Sequence, residues 1–229
     1  MEDESKNNNG DKNRARDNGR YSRADDKHRK IIDAAVKVFA EYGFHNSKIS
    51  QIAKEAGVAD GTIYLYFKNK DDILITLFEE KLGEIIERIT RDIANEQDPV
   101  AKLRLFINYH LSMMESYQDL AEVLTVELRQ SHKFMKEYIP EKFAEYLKVI
   151  SAIIREGKDK GVFAEDLKPG IVKRALFGAL DEIALEWLLA PKKKYNMKTS
   201  AAQISEIFLN GIINKKKGDS GVGIDPSAS

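Results

Sequence analysis

Apolar residues recur at three- and four-residue intervals along most of this chain, and the runs with that period predict about nine α-helices. The first carries Ile32, Ala35, Val36 and Phe39 and ends near Gly43. Ser47 stands where it would cap a second helix, which holds Ile49, Ile52 and Ala53 and runs into Gly57. Glycine there suits the left-handed conformation of a tight interhelical turn. A third helix begins at Asp60, with Ile63 and Phe67 on one face and Thr62, Tyr64, Leu65 and Tyr66 on the other. Leu74, Leu77, Phe78, Leu82, Ile85, Ile89 and Ile93 extend a fourth helix to about Ala94, and Asp71 and Asp72 complement its positive N-terminal end.

Beyond a break at 95–98, Pro99 fits the first turn of a fifth helix bearing Leu103, Phe106, Ile107, His110, Leu111 and Met114. Leu120, Leu124 and Leu128 mark a sixth. Phe143, Tyr146, Leu147, Ile150 and Ile154 mark a seventh, closed by Gly157 and Gly161. Pro169 opens an eighth that ends before Pro191, and Ile204, Ile207, Phe208 and Ile212 define a ninth. Nothing alternates with strand period for long, so the fold class is all-α. Residues 1–20 are polar, with nothing to bury, and are expected to be a disordered tail. Residues 21–70 form a small three-helix domain, 71–214 a larger helical one, and 215–229 a Gly-, Ser- and Lys-rich flexible tail.

Composition narrows the class. The 229 residues carry 37 basic and 37 acidic side chains, so no global field recruits nucleic acid. Between Arg20 and Lys70, however, ten basic residues face six acidic ones, a modest positive footprint over the glycine turn. Cysteine is absent, which removes disulfide and thiolate chemistry. The N-terminus lacks the apolar core of a signal peptide, and no run approaches the ~20 apolar residues of a membrane span. The expectation is a cytoplasmic protein.

Two short helices joined by a glycine turn, the second presenting hydroxyls and aromatics, form the pattern of a helix-turn-helix with its recognition helix. The string ISQIAKEAGVADGTIYLYFKNKDDIL, residues 49–74, closely resembles the N-terminal signature of the TetR family of regulators. That resemblance implies a homodimer on palindromic operator DNA. It assigns contacts to Asp60, Gly61, Thr62, Tyr64, Leu65 and Tyr66 at the recognition helix and to Ser47, Lys48 and Ser50 at the start of the second helix. It also assigns Lys70 to the DNA backbone. Thr62 can donate to a phosphate or offer its methyl to thymine. Tyr64 and Tyr66 either bond phosphates or pack in the small core. Asp60 either accepts from a cytosine amino group or caps the recognition helix.

In the larger domain, Phe177, Gly178, Ala179 and Leu180 alternate large and small, and Ile183, Leu185, Trp187 and Leu188 continue the apolar content. In the family the last two helices pair with their symmetry mates in a four-helix bundle; the bland alternative is intramolecular core. Asp181 and Glu182 diverge by about 100° on a helix and do not make a catalytic pair. The strings GVADGTIYLYFKNKDDILITLF, VELRQS at 126–131 and FGALDEIALEWLL at 177–189 resemble the branch of the family that represses fatty-acid degradation in Gram-positive bacteria. This implies a long-chain acyl-CoA effector and no cofactor. The effector site is expected to use Phe106, Tyr109, His110, Met113, Leu124, Leu128, Arg129, Phe143, Tyr146 and Phe177. Met114 and Leu120 add adaptable apolar surface, and Arg129, His132, Lys133 and Lys136 offer cations for CoA phosphates. His110 could equally be a satisfied core histidine.

Two rival readings stand beside this one. A TetR-type repressor of an efflux gene would respond to a lipophilic drug, and an acidic pocket lining would favour it. A hydrolase would need the Gly218–Asp219–Ser220–Gly221 string to be more than coincidence, in a chain with no β-barrel pattern. The four histidines, at 28, 45, 110 and 132, lack metal-ligand spacing.

Overall fold

The first helix, α1 (Gly10–Tyr42), starts inside the segment expected to be a tail. Residues 10–30 contain no proline, so no residue there forbids a helix nucleated by the apolar stripe around Ile32 from extending backwards. The structure, a computed structural model, describes residues 10–138 and 141–212. The 215–229 segment and its Gly-Asp-Ser-Gly string lie outside the described residues, as do residues 1–9.

After α1 come α2 (Ile49–Ala56), α3 (Asp60–Ile63), α4 (Lys70–Ala94), α5 (Pro99–Ser116) and α6 (Gln118–Thr125). A 3-10 turn follows (Glu127–Gln130), then α7 (His132–Lys136), α8 (Glu141–Asp159), α9 (Pro169–Leu189) and α10 (Met197–Ile212). Among the described residues there are thus ten α-helices and no strand, and the all-α expectation holds. The extra helix arises where a single sixth helix was expected through Leu128. The Ser131 hydroxyl accepts from the Phe134 amide at 3.1 Å and starts a new helix there, α7, too short to show a period. Gly157 also departs from expectation, because α8 runs through it. A Cβ at this position would lie 2.0 Å from the Phe163 ring, so the glycine admits a close aromatic contact. Gly161, at φ +68°, ends the helix.

The described residues fold as two compact units, one drawn from residues 10–81 and 119–138, the other from residues 82–118 and 141–212. The first packs Ile31, Ile32, Ala35 and Phe39 of α1 with Ile52, Ile63, Phe67, Leu74 and Leu77, all buried. Phe78 meets the rings of Phe134, at 5.0 Å between centroids, and Tyr138, at 6.2 Å. The second packs α5, α8, α9 and α10 around Phe106, Ile107, Ile150, Ile154, Phe163, Leu176 and Leu180. Asp98 caps α5 by accepting from the amides of Val100 and Ala101 at 3.1 and 3.3 Å, and Pro99 follows it without losing a bond.

Candidate nucleic-acid interface and effector site

Gly57 adopts φ +66° at the end of α2, and the Val58 amide reaches back to the Ala53 carbonyl at 3.0 Å. This is a left-handed helix stop that β-carbon-bearing residues adopt only under strain. It turns the chain into α3, whose regular part is one turn. Bonds from the Leu65 and Tyr66 amides to Thr62 and Ile63 continue it as tighter turns. Ile63 and Phe67 enter the core, while Tyr64 is 59% and Leu65 81% exposed. Tyr64 and Leu65 are thus consecutive exposed side chains just beyond the regular turn of α3. Asp60 and Gly61 are exposed and Thr62 is half-buried. Ala59 occupies the N-cap of α3, which removes the capping alternative for Asp60; its carboxylate lies in the first turn. Tyr66 is half-buried, with its ring 6.0 Å from that of His28.

At the start of α2, Lys48 and Ser50 are exposed. Ser47 is not. It is 4% exposed and its hydroxyl donates to the Phe44 carbonyl at 2.8 Å. Lys48, not Ser47, is the N-cap residue, and the Gln51 side chain accepts from its amide at 2.7 Å. Lys70 is also turned inward. Its ammonium donates to the carbonyls of Phe44, His45 and Ser47, the latter two at 3.0 Å, and lies 4.7 Å from the Phe44 ring centre. Burial pulls its pKa below the usual lysine range. An ammonium has three donors, and all three are occupied. Two of the ten DNA-contact candidates therefore serve the turn between α1 and α2 instead of an outward face.

In the second unit, α5, α8 and α9 assemble an aromatic cluster. Phe106 and Tyr146 lie 5.2 Å apart between ring centres, Phe143 and Phe177 4.9 Å, and His110 and Phe177 6.1 Å. His110 Nδ1 and the Tyr146 hydroxyl share a hydrogen bond of 2.6 Å in the buried interior. Burial pushes the His110 pKa down to about 4 and that of Tyr146 up, so the pair is neutral near pH 7. Met113 is buried, and Tyr109 lies with its ring 5.7 Å from the Arg88 guanidinium. Leu124, Leu128 and Arg129 belong to the first unit: Leu128 is buried, Leu124 half-buried and Arg129 exposed. Arg129, His132, Lys133 and Lys136 sit on the 3-10 turn and α7.

A cavity of ≈ 430 Å³ opens beside Tyr109, lined by Ile89, Ile93, Leu105 and Met197, with Asp92, Glu115 and Lys198 among its polar groups. Of its lining only Tyr109 was legible as a site residue. Leu105 was the available signal, an apolar residue off the buried stripe of α5 and 41% exposed. On α9, Leu176, Leu180, Ala184 and Trp187 face inward, whereas Ile171 and Leu189 are 68% and 60% exposed and Gly178 has open space around it. On α10, Ile207 is 66% exposed.

Residues 31–77 match the family described as bacterial regulatory proteins, tetR family, and residues 78–211 the C-terminal region of YsiA-like proteins. The chain is 43% identical over 189 residues to the fatty acid metabolism regulator protein of Bacillus subtilis, covering 82% of this chain and 97% of that one. Among solved structures it is similar to the Bacillus subtilis regulator FadR in complex with stearoyl-CoA, with a TM-score of 0.75 at 43% identity over 80% and 98% of the two chains. The fatty acid degradation regulator FadR of Bacillus halodurans gives a TM-score of 0.76 at 39% identity over 81% and 95%.

Proposed function

The chain belongs to the TetR family of bacterial regulatory proteins, and we propose that it represses fatty-acid-degradation genes as a homodimer released from its operators by long-chain acyl-CoA. The observation that carries this reading is that the likeness to the Bacillus subtilis regulator extends over 97% of that protein, and that residues 78–211 match the C-terminal region of YsiA-like proteins as well. Its relatives are transcriptional regulators, and the chain is a regulator, not an enzyme.

Operator recognition is assigned to the exposed start of α3, through Asp60, Gly61, Thr62, Tyr64 and Leu65, with Tyr66 beside it. Lys48 and Ser50 supply phosphate contacts. Dimerisation is assigned to the outward faces of α9 and α10, where Gly178 lets a second helix approach closely and Ile171, Leu189 and Ile207 would leave water. The effector's acyl chain is assigned to the apolar region of the second unit around Phe106, Phe143, Tyr146 and Phe177. The neutral His110–Tyr146 pair adds a polar mark without a charge to desolvate.

Each methylene buried contributes ~0.8 kcal/mol, so four more carbons, from C12 to C16, add at most ~3 kcal/mol. The test is to select an operator from randomised duplex and titrate its complex with C4, C12, C16 and C18 acyl-CoA and with free CoA. Release at lower concentration for longer chains, and none with free CoA, is the expected result. Release independent of chain length, or no release, sinks the acyl-CoA reading. The acidic groups Asp92 and Glu115 beside the ≈ 430 Å³ cavity would then direct the search to cationic lipophiles.

A further inference from the structure

The turn between α1 and α2 is held from two sides within the first unit. From one side the Lys70 ammonium binds three of its carbonyls. From the other, the Glu127 carboxylate of the 3-10 turn accepts from the Phe44 amide at 2.5 Å. Gly43, at φ +75°, lies under this contact, and a Cβ there would be 3.5 Å from Glu127 Oε2. Glu127 is 83 residues from Phe44 in sequence, so the bond joins two distant parts of the chain.

The segment bearing Glu127 is itself stitched to the beginning of α4. The Ser131 hydroxyl donates to Asp71 at 2.8 Å, and the Tyr138 hydroxyl to Glu79 at 2.5 Å. The Phe134 and Tyr138 rings stack 5.1 Å apart, both meeting Phe78. These contacts leave the carboxylate little freedom, and α2 begins at Ile49, only five residues beyond Phe44.

We propose that Glu127 is a positioning residue for operator recognition: with Lys70 it clamps the 43–47 turn and so sets where α2 and the recognition turn begin. Glu127 touches no DNA in this arrangement; it acts through the Phe44 amide. A displacement of the 127–138 segment would loosen that turn, which makes the segment a lever on DNA affinity. The inference rests on operator binding by the helix-turn-helix but not on the identity of the effector.

Two variants separate bond from charge. Glu127→Ala leaves a part-buried amide without its acceptor, while Glu127→Gln keeps an acceptor oxygen and removes the charge. Hydrogen exchange at the Phe44 amide and anisotropy on a selected operator are measured for both, with circular dichroism as the check on folding. Loss of a charge-assisted bond to a part-buried amide corresponds to roughly ten- to a hundredfold. Glu127→Ala should show faster Phe44 exchange and weaker operator binding on that scale. Glu127→Gln should recover most of both. Unchanged Phe44 exchange in Glu127→Ala, or a Gln variant no better than Ala, overturns the clamp. A wild-type chain that selects no duplex overturns operator binding, and with it the operator role of Glu127, even if the exchange result stands.

Discussion

Acidification should destabilise this protein through one buried histidine, because burial disfavours its charged form. His110 sits in the interior beside Phe106, Tyr146 and Phe177, bonded to a neutral hydroxyl. Burial is the cause that lowers its pKa from 6.5 to about 4. The unfolded chain therefore takes up a proton as pH falls through ~6.5, and the folded chain only near ~4. Unfolding free energy rises with pH wherever the unfolded state holds more protons, so the stability is complete above ~6.5 and is lost progressively down to ~4. A shift of that size, at ~1.4 kcal/mol per unit, amounts to roughly 3–4 kcal/mol in full, of which ~2–3 kcal/mol is lost between about pH 7 and 4.5. Urea unfolding followed by circular dichroism, at several pH values between about 7 and 4.5, measures it in the wild type and in His110→Gln. The glutamine can still bond the Tyr146 hydroxyl but does not titrate. Carboxylates common to both proteins cancel in the difference. The wild type should lose ~2–3 kcal/mol relative to the variant across that window, and a difference independent of pH would refute the reasoning.

Four other outcomes follow from named contacts. Thr62→Ala combined with Tyr64→Ala should weaken operator binding by ~1–3 kcal/mol per lost base or phosphate anchor; undiminished affinity in an anisotropy titration would remove α3 from the interface. Lys48→Ala should reduce the slope of log affinity against log salt by about 0.9 per protomer. Lys70→Ala should instead lower thermal stability and leave the slope nearly unchanged, and a Lys70 variant with normal stability but reduced slope would reinstate it as a phosphate ligand. Gly157→Ala must displace the Phe163 ring, whose atoms lie 2.0 to 2.7 Å from the added carbon. The expected cost is ~1–3 kcal/mol in urea unfolding, and a wild-type midpoint would show that the ring moves freely.

Helix positions were legible wherever an apolar stripe lasted three turns, as in α4, α5 and α8, because burial of one face is what makes such helices stable. The glycine turn was legible because Gly57 must take a left-handed conformation and little else can. Short elements set by side-chain bonds were not, and α7 starts where the Ser131 hydroxyl accepts from the Phe134 amide. The aromatic cluster was half legible. Period placed Phe106 and His110 on one face of α5 and Phe143 and Tyr146 on one face of α8, but the Nδ1–hydroxyl bond between helices has no sequence signature. Leu124, Leu128 and Arg129 share the chemical character of these residues, but chemical character carries no information about which compact unit a residue joins. The cavity beside Tyr109 draws on three helices, so no local pattern announces it.

The TetR resemblance assigns Ser47 and Lys70 to DNA, yet both turn inward for one cause. The turn between α1 and α2 leaves the carbonyls of Phe44, His45 and Ser47 without helical partners, and a buried carbonyl left unpaired costs ~1–3 kcal/mol. The Ser47 hydroxyl and the Lys70 ammonium are the donors within reach, so folding engages them before DNA arrives. Other charges of the segment are engaged too. Lys37 pairs with Glu55 at 2.7 Å, and Arg29 and Lys30 both pair with Asp26. These pairs are with acids already set against the basic residues in the footprint between Arg20 and Lys70, so it is the inward turn of Lys70 that lowers the positive charge offered to phosphates. With Lys70 engaged in the turn, the proposed operator affinity is expected to depend more on the placement of α3. That makes the geometry of one short turn, held by Glu127 and Lys70, matter more to recognition than the number of lysines near it.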